Sequence, residues 1–126
     1  MGLYHKPTVV WTNETNTAGE SGTLVSDYYT LGSWGATAEI TVTNDSTAPT
    51  SPGYVQPQVS LDGTNFKDYG QAVYGNTSDD SAVTNGDVRF LPGIRYARFS
   101  VGGNDDQIVF VTVSLNPYTI GSGDGN

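Results

Sequence analysis

Residues 35–44 carry the clearest fold signal in the chain and read Gly-Ala-Thr-Ala-Glu-Ile-Thr-Val-Thr-Asn. Apolar and polar side chains alternate along this stretch. Because successive residues of a β-strand point to opposite faces of a sheet, Ala38, Ile40 and Val42 share one face and the threonines share the other. The segment therefore predicts a strand with one face in a core and the other in water.

The same β-type pattern recurs on both sides of this segment. Turn-forming residues separate the runs at intervals of about 8–12 residues, which is typical of an antiparallel sandwich or barrel. The most apolar run, residues 108–115, is expected to be a central strand. We predict one all-β domain, an antiparallel β-sandwich of about eight strands, with jelly-roll and immunoglobulin-like topologies both open. The predicted strands are residues 8–12, 23–31, 37–43, 54–61, 66–73, 87–91, 95–101 and 108–115.

Two turn-forming residues refine this prediction. Asp62-Gly63 lies between two apolar runs, and the pair predicts a hairpin because Gly accepts the positive φ that the turn needs. Pro57 lies inside a predicted strand and has no N–H to donate. It therefore predicts a sheet edge or a bulge.

Composition excludes several classes of protein. Sixteen Gly and six Pro in 126 residues leave little room for a long helix, since these residues cost about 1 and about 3 kcal/mol in a helix interior. The sequence contains no run of roughly 20 apolar residues, which is the length that a membrane span needs. Thirteen acidic and five basic residues give a net charge of −8, which opposes binding to nucleic acid. The absence of cysteine excludes disulfides and thiolate metal sites.

The chain offers little for catalysis. Its one histidine, His5, cannot by itself build a catalytic triad or a zinc site. Carboxylates in polar loops mostly stabilise turns, although they also suit calcium, a hard cation that prefers oxygen ligands. We therefore predict no enzyme activity and no cofactor, with a calcium site as the weaker alternative. The candidate calcium ligands are Asp79, Asp80, Asp87, Asp105 and Asp106.

Three regions are predicted along the chain. Residues 1–20 are polar around one apolar island and predict an extended N-terminal arm, and residues 21–118 form the β-sandwich domain. Residues 119–126, rich in Gly, predict a flexible tail. The island Val9-Val10-Trp11 suggests that residues 3–11 contact a partner. The candidate partner-binding residues are Leu3, Val9, Val10, Trp11 and Trp34.

Aromatic and basic residues leave several interpretations open. Trp34 lies in a Gly-Ser-Trp-Gly turn and fits a core cap, a protein interface or a sugar platform. Tyr28 and Tyr29 are neighbours in a predicted strand, so they should face opposite sides. Arg98 alternates with core-like residues, which makes it a candidate for an ion pair across the sheet or between subunits.

Three blocks together carry a family resemblance: residues 35–44, residues 59–66 with Ser-x-Asp-Gly-x-x-aromatic, and residues 91–99 with the strand that ends at residue 115. Their order, over residues 21–115, resembles small β-sandwich structural proteins of tailed bacteriophages, especially head decoration (cement) proteins. The second block also occurs in carbohydrate-binding and adhesion modules.

This resemblance implies a role rather than a catalytic site. It implies a non-enzymatic protein, often a homotrimer, that binds the major capsid protein and clamps neighbouring capsid subunits. Such a protein is made in the host bacterial cytoplasm and ends on the outer surface of the capsid. The rival hypothesis is a receptor- or carbohydrate-binding module of a phage tail or fibre. An enzyme fragment is a third and weaker hypothesis.

Overall fold

The computed structural model describes residues 8–17, 24–31 and 35–118. Within these ranges the chain forms ten β-strands in two antiparallel sheets, which confirms the predicted all-β sandwich. The described ranges contain no helix long and apolar enough to cross a membrane.

The first sheet has four strands in the order β1 (Thr8–Asn16), β10 (Val109–Tyr118), β4 (Gly35–Asn44) and β8 (Val83–Phe90). The predicted strands at residues 37–43 and 108–115 correspond to β4 and β10. The strand β10 is central, as its apolar sequence predicts, because it pairs with both β1 and β4. Its alternate side chains are fully buried: Val109, Val111, Val113 and Leu115.

The second sheet is built on β5 (Tyr54–Ser60) and β9 (Tyr96–Gly102), which pair along their whole length. Two-residue strands complete it. On one side β2 (Leu24–Val25) and β3 (Tyr29–Thr30) pair with β9, and on the other β6 (Lys67–Asp68) and β7 (Val73–Tyr74) pair with β5. The predicted strands at residues 23–31 and 66–73 are thus each divided in two.

Pro57 explains part of this division. It lies inside β5, opposite Phe99 of β9 in a register without shifts, so the prediction of a sheet edge or a bulge was wrong. Its carbonyl accepts a hydrogen bond from the Tyr69 N–H at 2.9 Å, in the segment between β6 and β7. The side of Pro57 that lacks an N–H donor therefore faces the interruption between two short strands, where no ladder bond is lost.

The core lies between the two sheets and consists mainly of Val and Ala with a few larger side chains. Phe90 of β8 and Phe99 of β9 join the sheets, with ring centroids 6.0 Å apart in an edge-to-face arrangement. Tyr69 stacks on Phe90 at 5.3 Å. Replacing either buried phenylalanine by alanine should cost about 3–5 kcal/mol of stability.

The strand connections define two ends of the sandwich. One end contains residues 61–66, between β5 and β6, and residues 91–95, between β8 and β9. We call it the apolar end, because Leu61, Leu91 and Ile94 lie in these two segments. The opposite end contains residues 45–53, 75–82 and 103–108. We call it the acidic end for the aspartates that these three segments carry.

Residues 8–16, assigned from sequence to an N-terminal arm, form the edge strand β1. It pairs with β10 from Thr8 opposite Leu115 to Asn16 opposite Val109, with two register shifts. Val10 and Trp11 pack against the core, so burial ties this part of the chain to the sandwich. Residues 1–7, 18–23 and 119–126 lie outside the described ranges, and the arm boundary at residue 20 and the tail remain predictions.

Candidate functional site

The predicted partner-binding residues fall into three groups. Val9 is 63% exposed and lies opposite Ser114 on the solvent side of the first sheet. Val10 and Trp11 are half-buried against the core. Packing in the fold therefore explains two of the three apolar residues of the island. Leu3 and Trp34 lie outside the described residues. Within the island, only Val9 remains a well-exposed apolar candidate.

The aspartates of the acidic end hold the loop of residues 45–53 from two sides. Asp80 accepts a hydrogen bond from the Ala48 N–H at 2.8 Å. Asp106 accepts from the N–H and the hydroxyl of Thr50, and these bonds hold the pKa of Asp106 below its ordinary value. Asp105 accepts weaker bonds of 3.3 Å from Ser51. These carboxylates therefore serve as loop anchors.

This anchoring bears on the predicted calcium site. In the described part of the chain, no three His, Cys, Asp or Glu side chains lie close enough together to hold a metal ion. Asp79 contributes its backbone carbonyl, which accepts from the Asn44 side-chain amide at 3.0 Å. Asp87 lies in the middle of β8, opposite Glu39 of β4. The five candidates are thus divided among separate places.

The apolar end presents hydrophobic side chains to solvent. Leu61 is 74% exposed and Leu91 is 56% exposed. Beside Leu61 lies an open pocket of about 520 Å³ with a mainly apolar lining. An exposed leucine next to an apolar pocket is a feature of protein–protein contact surfaces. The pocket is lined by Val59, Ser60, Leu61, Asp62, Asn65, Phe66, Lys67 and Ile94.

The loop that carries Leu61 is held by a dense set of hydrogen bonds. Asp62 Oδ1 accepts from the N–H groups of Thr64 and Asn65 at 2.8 Å each and from the Ser60 hydroxyl at 2.8 Å. The two N–H bonds are the largest cause of a pKa of Asp62 well below its ordinary value. Gly63 takes a φ of +78°, and β5 and β6 are antiparallel. The Asp-Gly hairpin prediction is therefore confirmed.

An aromatic cluster lies next to this loop. Tyr28 is 50% exposed, and its ring contacts Phe66 at 5.9 Å and Tyr96 at 5.1 Å between centroids. Tyr29, its neighbour, packs against the core, so the two tyrosines face opposite sides as predicted. The cluster could not be read from sequence, because its rings come from three separate segments.

Arg98 belongs to the same surface. Its Cζ lies 4.1 Å from the centroid of the Phe66 ring, and its Nε donates to Gln58 Oε1 at 2.8 Å. Gln58 Nε2 in turn donates to Asp68 Oδ1 at 3.0 Å. These contacts of Arg98 all lie within one chain, and an ion pair between subunits remains a prediction.

Charge is distributed unevenly between the two ends. The basic residues of the described ranges lie at or next to the apolar end: Lys67, Arg89, Arg95 and Arg98. The acidic end carries only aspartates among its charged residues: Asp45, Asp79, Asp80, Asp105 and Asp106. The apolar end thus combines exposed leucines and the basic residues of the described ranges with two carboxylates, Asp62 and Asp68, whereas the charged residues of the acidic end are all aspartates.

A second cleft lies on the solvent face of the second sheet. It encloses about 240 Å³. Strand pairing brings its lining together, since Tyr54 lies opposite Tyr74, Gln56 opposite Ser100 and Gln58 opposite Asp68. The lining residues are Tyr54, Gln56, Gln58, Asp68, Tyr74 and Ser100.

The sandwich has a counterpart in a virus structure. A chain in the structure of infectious bursal disease virus, Gx strain, is similar in fold, with a TM-score of 0.57 and 8% sequence identity over 94% of this chain. The match covers 32% of that chain, so this protein spans about a third of its length. No protein-family model and no curated protein was found to match.

A bacterial adhesin was also found by structural comparison. The K3 cleaved adhesin domain of Lys-gingipain from Porphyromonas gingivalis w83 gives a TM-score of 0.43 and 14% identity, over 73% of this chain and 62% of that chain. This TM-score is too low to establish a shared fold. The comparisons therefore establish a β-sandwich with a viral counterpart.

Proposed function

We propose that this chain is a non-enzymatic virion protein, a decoration protein that binds the outer surface of a phage head by its apolar end. The major capsid protein is the partner in this proposal. The order of the three sequence blocks that resemble decoration proteins supports it, and the β-sandwich fold is compatible with it.

One observation carries the proposal: Leu61, beside an open apolar pocket, and Leu91 are exposed at the end where the basic residues of the described ranges lie, whereas the loops of the opposite end carry aspartates and no basic residue. A protein that docks on a surface needs one end that binds its partner and another that remains solvated. Because Leu61 and Leu91 are already partly buried, burying the rest of either side chain in a partner would contribute about 1–2 kcal/mol. The carboxylates at the other end favour solvation and oppose further association.

A single copy that makes only a few contacts of this size would bind the capsid weakly. Linked copies raise the effective concentration of each site, so a homotrimer would bind neighbouring capsid subunits far more tightly than one chain. We therefore retain the trimer as part of the proposal. Light scattering after size exclusion measures the oligomeric state directly. A mass of three chains supports a trimer in solution, whereas a mass of one chain would mean that a trimer forms only on the capsid surface.

The proposed function is tested with heads of the phage that encodes the chain. Heads assembled without the chain are incubated with purified protein, sedimented and imaged by electron microscopy. The proposal predicts density at regular positions on the outer shell and a higher temperature of head disruption, since a ligand stabilises the state it binds. Density on the tail or fibres instead would contradict it and favour the receptor- or carbohydrate-binding rival.

A further inference from the structure

The cleft on the solvent face of the second sheet is lined by two tyrosines and by polar side chains. Tyr74 is 55% exposed, and its ring contacts Tyr54 at 5.6 Å with the planes tilted by 53°. Tyr54 in turn lies against Gly103, because a Cβ at that glycine would lie only 2.7 Å from the Tyr54 ring. One ring is thus held in place by the backbone while the other remains open to solvent.

Polar groups beside the tyrosines are held in fixed orientations. Arginine can only donate hydrogen bonds and an ionised carboxylate can only accept them. The bonds from Arg98 to Gln58 and from Gln58 to Asp68 therefore allow one orientation of the Gln58 amide. Gln56 is held in the same way, since its Nε2 donates to the Pro57 carbonyl at 2.7 Å. Its Oε1 keeps acceptor capacity.

The chemistry of this lining indicates what it can bind. A pyranose has an apolar face of C–H groups that fits a tyrosine ring, and hydroxyls around its edge that donate and accept. Asp68 and Gln56 supply acceptors, Ser100 supplies a hydroxyl, and the tyrosine hydroxyls do both. Phosphates and carboxylates are opposed by Asp68 and by the net charge of −8.

We propose that this cleft binds one neutral pyranose unit of a glycan. Its volume of about 240 Å³ is below the range of roughly 300–1,000 Å³ for typical ligand pockets, which suits a single ring. The cleft lies on a side face of the sandwich, apart from Leu61 and Leu91. Sugar binding is therefore tested separately from docking by the apolar end.

The experiment is an NMR titration of the isotope-labelled full chain. The probes are the methyl glycosides of glucose, galactose, mannose and N-acetylglucosamine, with inorganic phosphate as an anionic comparison. The proposal predicts that at least one glycoside shifts the backbone amides of Gln56, Gln58, Tyr74 and Ser100, with millimolar affinity. It predicts that phosphate leaves them unchanged.

Matched variants separate stacking from general effects. Tyr74→Ala should weaken binding at least about tenfold, an energy of about 1.4 kcal/mol. Tyr28→Ala removes a tyrosine of similar exposure outside the cleft and should leave affinity unchanged. Asp68→Asn preserves shape and should also weaken binding, which keeps the test valid if Tyr74→Ala unfolds. The proposal is overturned if none of the four sugars shifts these amides, or if Tyr74→Ala and Tyr28→Ala lose equal affinity.

Discussion

The guanidinium of Arg98 lies over the ring of Phe66, with 4.1 Å between Cζ and the ring centroid. This contact joins β9 to the loop that carries Leu61, and the bond from Arg98 Nε to Gln58 holds the same guanidinium from the β5 side. Arg98 therefore contacts one residue of the apolar end, Phe66, and one lining residue of the side cleft, Gln58. Its removal should loosen the 61–66 loop and release Gln58.

Arg98→Leu should lower the free energy of unfolding by about 1–2 kcal/mol, since a cation–π contact and a charge-assisted hydrogen bond are both lost. Urea denaturation measures this change. The matched control is Arg95→Leu, because Arg95 is exposed and lies farther from its aromatic neighbour, 5.7 Å from the Tyr96 centroid. That change should stay within about 0.5 kcal/mol. Equal losses for the two variants would contradict this role of Arg98.

Gly103→Ala should destabilise the chain by more than about 3 kcal/mol. Gly103 has a φ of +92°, and a Cβ there would overlap the Pro52 carbonyl oxygen and the Tyr54 ring, so conformational strain and a steric clash add. Gly93 is the control, since its φ is +98° and a Cβ would meet nothing within 4 Å. Gly93→Ala should cost only about 1–2 kcal/mol. Thermal unfolding of both variants compares them, and similar melting temperatures would disprove the clash.

Asn104→Ala should cost about 2–4 kcal/mol. Asn104 is buried; its Oδ1 accepts from Asn16 Nδ2 at 2.6 Å, and its Nδ2 donates to the carbonyls of Asn16 and Gln107. Truncation leaves buried polar groups of β1 and of the acidic end without partners. Asn85→Ala, which removes an exposed bond to Thr41, should cost less than about 1 kcal/mol. A small effect at Asn104 in chemical denaturation would contradict this interpretation.

Stability should fall in acid. The pKa of Asp106 lies below its ordinary value near 3.8, mainly because the Thr50 hydroxyl and N–H bind the ionised carboxylate. Asp62 is shifted in the same direction. A lowered folded-state pKa gives stability that is complete above the unfolded pKa and is lost as pH falls through the folded pKa. The free energy of unfolding should therefore decline below about pH 4.

Two variants test whether Asp62 and Asp106 cause this loss of stability in acid. Asp62→Asn removes one of the titrating groups, and Thr50→Val removes the hydroxyl that lowers the pKa of Asp106. Each should flatten the decline measured by urea denaturation from about pH 5 to about pH 2. Curves parallel to that of the unaltered protein in both variants would show that the decline has another origin.

The strands β4 and β10 were predictable from sequence because each has one face in the core. Ala38, Ile40 and Val42 are all buried, as their alternation in β4 indicates. The predictions for β1 and β8 were partly wrong, because β1 extends to Asn16 and β8 begins at Val83, before the predicted start at residue 87. The two-residue strands were not predictable in the same way. Tyr29–Thr30 and Lys67–Asp68 are ordered by pairing with β9 and β5, and such pairing depends on distant segments rather than on a local pattern.

The candidate site was only partly predictable for the same reason. The Asp62-Gly63 turn is a local signal, and it correctly located the hairpin that displays Leu61. The contact of Arg98 with Phe66 and Gln58 depends on the register of β9 against β5, which one sequence does not specify. Alternation alone indicated that Arg98 shares a face with Tyr96 and Ser100. It did not indicate which residues lie across from it.

The central claim is that the apolar end contacts the capsid, and paired charge substitutions test it most directly. Leu61→Glu introduces a carboxylate at the apolar end. Val83→Glu does so at another exposed apolar residue, 57% exposed and paired with Thr43 near the acidic end. Both purified variants are compared with the unaltered chain for occupancy on heads that lack it. The account predicts that Leu61→Glu loses binding and Val83→Glu retains it, whereas retention by Leu61→Glu or loss by Val83→Glu alone would contradict it.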